Sequence, residues 1–186
     1  DLREILQVGH GGDKLLGGSQ AGIIAGKTQH IGTIKKHPLT RAVRIDKLSL
    51  AALEGTLMDY QLGNPLDDVP VQRMLHIAPP ILKKQAEVLA DMLEQLTDYG
   101  WQICCREVKS TTGGGSLPEI DLPGWGVAVR PRRYSAATLE GLLRRRHIPI
   151  IARIQEDQAL FDVRTLRSGD MDEIVAALVE LAKGEI

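Results

Sequence analysis

Leu82, Ala86, Leu89, Leu93 and Leu96 recur at spacings of three and four, which predicts a helix with one apolar face over 80–97. Pro79-Pro80 opens it, because proline suits a first helical turn, and Tyr99-Gly100 closes it. Upstream, Ser49 is placed to cap a helix whose apolar face is Leu50, Leu53, Leu57 and Met58, ending near Gly63. Residues 64–68 read as a polar connector. Pro70 then opens a further helix with Val71, Met74, Leu75 and Ala78 on one face.

After Gly100 the period changes. Segments 101–108 and 125–129 read as strands, and Ser135 caps a helix running to Arg146. Segments 148–154 and 159–163 read as a hairpin turned at Glu156-Asp157, and Gly113 to Ser116 as a loop. Asp170 and Glu173 have the spacing of a capping box, and the last helix carries Ile174, Leu178 and Leu181 before stopping at Gly184. The order β–β–α–β–β–α predicts a small α+β domain over 98–186. Residues 71–97 are expected as connecting helices, with the long helix bridging to whatever 1–70 belongs to.

Residues 1–26 are different in character. Gly9, Gly11, Gly12, Gly17, Gly18, Gly22 and Gly26 crowd together, which marks backbone in unusual conformations or close to a ligand. The run 21–26 reads as a short buried strand. Lys14 lies in the glycine-rich turn before it. A lysine desolvated there becomes a Schiff-base nucleophile, whereas a surface loop lysine is the alternative that physics alone prefers. The P-loop spacing is absent, and so is the dinucleotide fingerprint.

Composition narrows the classes. The chain has 186 residues with 23 Lys+Arg against 24 Asp+Glu, which excludes a dominant polybasic field. Aromatic residues make up 3%, so no base-stacking surface is advertised. No apolar run is long enough to span a membrane, and no signal peptide is read at Asp1. Cys104 and Cys105 are adjacent, a poor geometry for a mutual disulfide, and a reducing cytoplasm is expected. His30, His37, His76 and His147 are scattered without ligand spacing, so no metal is expected.

The block Gly12-Asp13-Lys14-Leu15-Leu16-Gly17-Gly18 is followed by Gln20-Ala21-Gly22-Ile23-Ile24 and Gly26-Lys27. Further on come His37-Pro38-Leu39, Arg41-Ala42, Arg44, Asp46-Lys47, Gly114, Ser116-Leu117-Pro118 and Leu122-Pro123. In these ordered blocks the chain resembles the bacterial selenocysteine synthase family, L-seryl-tRNA(Sec) selenium transferase. The resemblance implies an α/β chain: the C-terminal part of a fold-type-I, pyridoxal-phosphate-dependent large domain over 1–70, then the small α+β domain. It implies conversion of seryl-tRNA(Sec) to selenocysteinyl-tRNA(Sec) with selenophosphate, in a cytoplasmic homo-oligomer without membrane contact.

By the same resemblance, Lys14 holds pyridoxal 5'-phosphate as an internal aldimine, and Asp13 is the acidic residue beside it. Arg41 and Arg44 match arginines that meet the selenium donor, and they share one face if 38–46 is helical. The sequence departs from the family at Gly9 and Gly11, where serines are usual, and at Ser19, where proline is usual. The serine replaced by Gly11 would donate to the cofactor phosphate, a loss that backbone N–H groups of the glycine turn can offset in part. His10 stands where the family tends to have an aromatic residue. The partner of the pyridinium nitrogen is expected upstream of Asp1, so the chain alone is expected to be inactive. Arg130, Arg132, Arg133 and Arg144 to Arg146 could meet tRNA phosphates, though a solvated face is the commoner use of such runs. The rival readings are a related pyridoxal-phosphate ammonia lyase on a small amino acid or amino sugar, and a non-catalytic oligomerisation or binding module.

Overall fold

A computed structural model describes residues 7–9, 12–112 and 121–184. His10, Gly11 and the loop expected at 113–116 lie outside the described residues. The chain divides into two compact units, the first running to His76 and the second beginning at Ile77.

In the first unit β1 (Gln7–Gly9) pairs antiparallel with β2 (Ile23–Ala25), Val8 lying opposite Ile24. Helices α1 (Thr28–Lys36), α2 (Leu39–Ala42), α3 (Lys47–Leu62), α4 (Pro65–Asp68) and α5 (Pro70–His76) follow. The strand expected to be buried is not: Ile24 is 45% exposed, because a two-stranded ribbon gains no covering layer from the described residues. Asp46, not Ser49, caps α3. Its Oδ1 accepts from the Leu48 and Ser49 N–H groups at 2.9 Å each, and the Ser49 hydroxyl donates to Oδ2 at 2.6 Å. That hydroxyl, followed by the Ser49 amide, holds the Asp46 carboxyl below the usual carboxylate range. Of the expected apolar face of α3, Leu53 is buried, whereas Leu50, Leu57 and Met58 are exposed. The connector at 64–68 closes into α4, with the Asn64 side chain accepting from the Leu66 N–H.

The second unit is an antiparallel sheet with helices on one face. Its α6 (Pro79–Leu93) continues as a 3-10 turn (Glu94–Tyr99) and stops at Gly100, whose φ is +78°. Strands β3 (Gln102–Ser110) and β4 (Leu122–Arg130) come next, followed by α7 (Ala136–Arg144), β5 (Arg153–Gln155), β6 (Gln158–Asp162) and α8 (Asp170–Lys183). The sheet order is β3-β4-β6-β5, with Cys105 opposite Val127, Val127 opposite Phe161, and Ile154 opposite Ala159. Val127, Val129 and Phe161 meet Leu82, Leu89 and Leu93 of α6, Leu139 and Leu143 of α7, and Leu178 and Leu181 of α8. Every member of the expected 80–97 face, including Ala86 and Leu96, is fully buried.

That burial places the division between units after His76, upstream of the boundary expected near 98. The helix is a layer of the second unit because its leucines have the sheet as their apolar partner. The Glu156-Asp157 turn forms, with both residues left-handed at φ 53° and 57°. The Arg106 guanidinium pairs with the Glu156 carboxylate at 2.9 Å, and Arg130 donates to the Glu156 carbonyl at 3.1 Å. The expected strand 148–154 shortens to β5, since the Ile150 N–H turns to the Leu143 carbonyl at 3.1 Å. The capping box at Asp170 is not made. Gly169 occupies the cap, and Asp170 Oδ2 accepts from the Arg167 N–H at 2.8 Å.

Candidate functional site

The glycine-rich segment of the first unit folds as nested turns. The Gly12 N–H donates to the Ala21 carbonyl at 2.9 Å, the Gly18 N–H to the Gly12 carbonyl at 2.7 Å, and the Gly17 N–H to the Lys14 carbonyl at 3.0 Å. Lys14 is thus the first residue of a tight turn closed by Gly17. Gly17 is left-handed at φ +75°, and a Cβ there would lie 2.6 and 2.7 Å from Cγ1 of Val71 and Val69. Only glycine fits. Gly17→Ala should cost about 2–4 kcal/mol, combining a left-handed backbone with overpacking. Urea unfolding checks this against Gly22→Ala, whose added Cβ meets nothing within 4 Å.

Among the described residues, three long-range hydrogen bonds anchor the segment. Gln72 Nε2 donates to the Leu15 carbonyl at 2.6 Å, the Tyr60 hydroxyl to the Leu16 carbonyl at 3.1 Å, and the Ser19 hydroxyl to the Ser49 carbonyl at 2.7 Å. Sequence reasoning missed Gln72 and Tyr60, which stand in helices with no motif to single them out.

Lys14 Nζ lies 3.5 Å from Asp13 Oδ2, and the two side chains are 43% and 34% exposed. The described residues therefore do not desolvate the amine; they present it beside a carboxylate. For pyridoxal phosphate this fits the aldehyde end, which needs an accessible primary amine on a fixed backbone. The phosphate end finds no grip in the Gly12, Gly17 and Gly18 N–H groups, because all of them are spent inside the turns.

Arg41 and Arg44 are both exposed, and no hydrogen bond or ion pair holds either guanidinium among the described residues. They do not share a helix face. α2 ends at Ala42, Val43 departs from helical geometry, and Asp46 must be extended (φ −72°, ψ 163°) to cap α3. The His37 ring accepts from the Leu39 N–H at 3.2 Å at the start of α2, which gives that histidine a local role.

In the second unit much of the arginine-rich sequence is engaged internally. Arg144 pairs with Glu140, and Arg146 pairs with Glu180 at 2.6 Å and Glu173 at 3.7 Å. A cavity of about 470 Å³ is lined by Ser110, Arg153, Asp162, Arg167 and Asp170 over an apolar floor that includes Phe161 and Ile174. Its central carboxylate is already committed. Asp162 accepts from the Ser110 hydroxyl at 2.5 Å, from Arg153 at 3.1 Å and from the Arg164 N–H at 3.1 Å. No cluster of three or more His, Cys, Asp or Glu suited to a metal occurs among the described residues. No helix among them is long and apolar enough to cross a membrane.

Comparison with known proteins shows what the chain is similar to. The family model described as L-seryl-tRNA selenium transferase matches residues 3–167. An L-seryl-tRNA(Sec) selenium transferase of Moorella thermoacetica is 43% identical over 178 residues, covering 94% of this chain and 37% of the relative. The protein of the same name from Aquifex aeolicus is 46% identical over 170 residues, covering 91% of this chain and 37% of its own length. Among solved structures, D-glucosaminate-6-phosphate ammonia-lyase is similar with a TM-score of 0.50 and 22% identity, over 88% of this chain and 40% of that one. At that identity the likeness concerns the fold. The chain thus spans little more than a third of the length of these curated relatives, and within that span it belongs to the L-seryl-tRNA selenium transferase family.

Proposed function

We propose that this chain is the lysine-bearing C-terminal part of a selenocysteine synthase, acting within a longer polypeptide that converts seryl-tRNA(Sec) to selenocysteinyl-tRNA(Sec) with selenophosphate. The carrying observation is the exposed Lys14 amine on an anchored glycine turn, inside the segment matched by the family model. In this reading residues 1–70 complete a fold-type-I large domain, and the assembly is a cytoplasmic homo-oligomer. Exposed Leu48, Leu57 and Leu62 on α3 support burial of this unit against further protein.

Pyridoxal phosphate, when bound, supplies an electron sink for breaking the seryl Cβ–O bond. Lys14 holds it and Nζ is the atom that takes and returns a proton, with Asp13 Oδ2 the carboxylate oxygen placed beside that proton. Arg41 and Arg44 bind the anionic selenium donor. Their uncommitted guanidiniums support that role, because a guanidinium offers an oxyanion charge-assisted hydrogen bonds in a fixed fork. They sit on either side of a helix end, so each contributes separately and not as a one-face pair.

The test is single-turnover chemistry with the full-length polypeptide, charged seryl-tRNA and selenophosphate, following elimination and selenium incorporation separately. Arg41→Ala and Arg44→Ala should each slow incorporation by roughly ten- to a hundredfold, the loss of one charge-assisted bond, and slow elimination less. Lysine at either position should rescue part of the loss. Equal losses in both steps would reassign the arginines to tRNA or cofactor. Turnover of a small amino acid or amino sugar without tRNA would favour the ammonia-lyase alternative.

A further inference from the structure

We propose that Gln72 and Tyr60 are positioning residues for Lys14, an inference that rests on the lysine assignment above. The bond from the Gly17 N–H to the Lys14 carbonyl closes the turn and leaves its two central carbonyls, of Leu15 and Leu16, without a partner inside it. Each is claimed by a side chain from a distant helix. Gln72 of α5 reaches Leu15 across 57 residues of sequence, and Tyr60 of α3 reaches Leu16 across 44. Both bonds are partly buried, where competition from water is weaker.

Neither donor belongs to the hydrogen-bond ladder of its own helix, so α3 and α5 do not need these bonds in order to form. The bonds act on the turn. With Gly17 seated against Val69 and Val71, the turn is held at both central carbonyls and at its closing residue. The backbone of Lys14 is fixed while its side chain stays accessible. A flexible four-carbon stem delivers its amine reproducibly only from such a fixed base, and a displacement of about 1 Å in a reacting group can cost about a hundredfold in rate.

In the holoenzyme, Tyr60→Phe and Gln72→Met delete the donors and keep the bulk. The readouts are the visible absorption of bound pyridoxal phosphate, the pH at which that band titrates, kcat and KM separately, and the thermal midpoint. Each variant should retain covalently bound cofactor, move the titration of the visible band, and lower kcat about tenfold with KM little changed; the double variant should approach about a hundredfold. Gln72→Lys restores a donor and should recover part of the rate. Variants whose visible titration and kcat match the parent, while only the thermal midpoint falls, would overturn the proposal and leave two structural braces. Lys14→Ala separates the two layers. Covalent cofactor surviving in Lys14→Ala sinks the lysine assignment and the positioning role with it. Cofactor lost in Lys14→Ala, with the Tyr60 and Gln72 variants spectrally unmoved, sinks the positioning role alone.

Discussion

Lys14→Ala in the holoenzyme is expected to abolish both borohydride-trappable pyridoxal phosphate and turnover. Lys14 is the lysine of the glycine turn, and its amine reaches out of that turn beside Asp13. Lys27, the next lysine along the chain, stands just beyond β2 at the start of α1. A covalent link to an aldehyde needs a primary amine at one position, so the loss should be all or none and not graded. Borohydride reduction followed by peptide mass mapping checks it, with Lys27→Ala as the control that should keep the label. Label retained elsewhere in Lys14→Ala would place the carrier lysine outside this turn.

Removing α6 should have the next largest effect. A polypeptide of residues 77–186 is expected to unfold cooperatively, whereas one of residues 98–186 should give no cooperative transition. Leu82, Leu89, Leu93 and Leu96 are all fully buried in the core shared with β4, β6 and α8. At about 1.5–3 kcal/mol for each fully buried leucine, their removal forfeits roughly 6–12 kcal/mol. That rivals the whole stability of an ordinary domain, about 5–15 kcal/mol. Thermal denaturation followed by circular dichroism separates the two polypeptides. A sharp transition in 98–186 would show that the sheet and its later helices close a core without α6.

Legibility followed burial. The 80–97 helix was readable because its leucine stripe answers to one apolar surface, and the β–β–α–β–β–α order because turn and cap residues punctuate it. α1 carried no such signal: it buries no residue and has no side-chain cap, so its sequence is silent about helix. The choice of Asp46 over Ser49 as cap depended on a single turn of register, since both residues can accept from N–H groups at a helix start. The run 21–26 misled for a related reason. An apolar strand implies a covering layer, and the described residues provide none. At the proposed site, Lys14 and Asp13 stand out through their motif, whereas Tyr60 and Gln72 became apparent only once folding brought them to the turn from 44 and 57 residues away. The paired face for Arg41 and Arg44 failed because the extended entry to α3 ends α2 between them.

The left-handed pair Glu156-Asp157 decides more than the direction of the chain. Side chains in a strand alternate, so a slip of one residue in the β5–β6 hairpin would exchange the two faces of β5. Arg153, which now reaches Asp162 at 3.1 Å, would be turned toward the helix-covered face, and Ile154 would take its place on the other. A two-residue turn of this hand admits one alignment of its flanking strands. With Arg106 and Arg130 gripping Glu156, the turn acts as an indexing stop that keeps a short edge strand from shuttling along its neighbour.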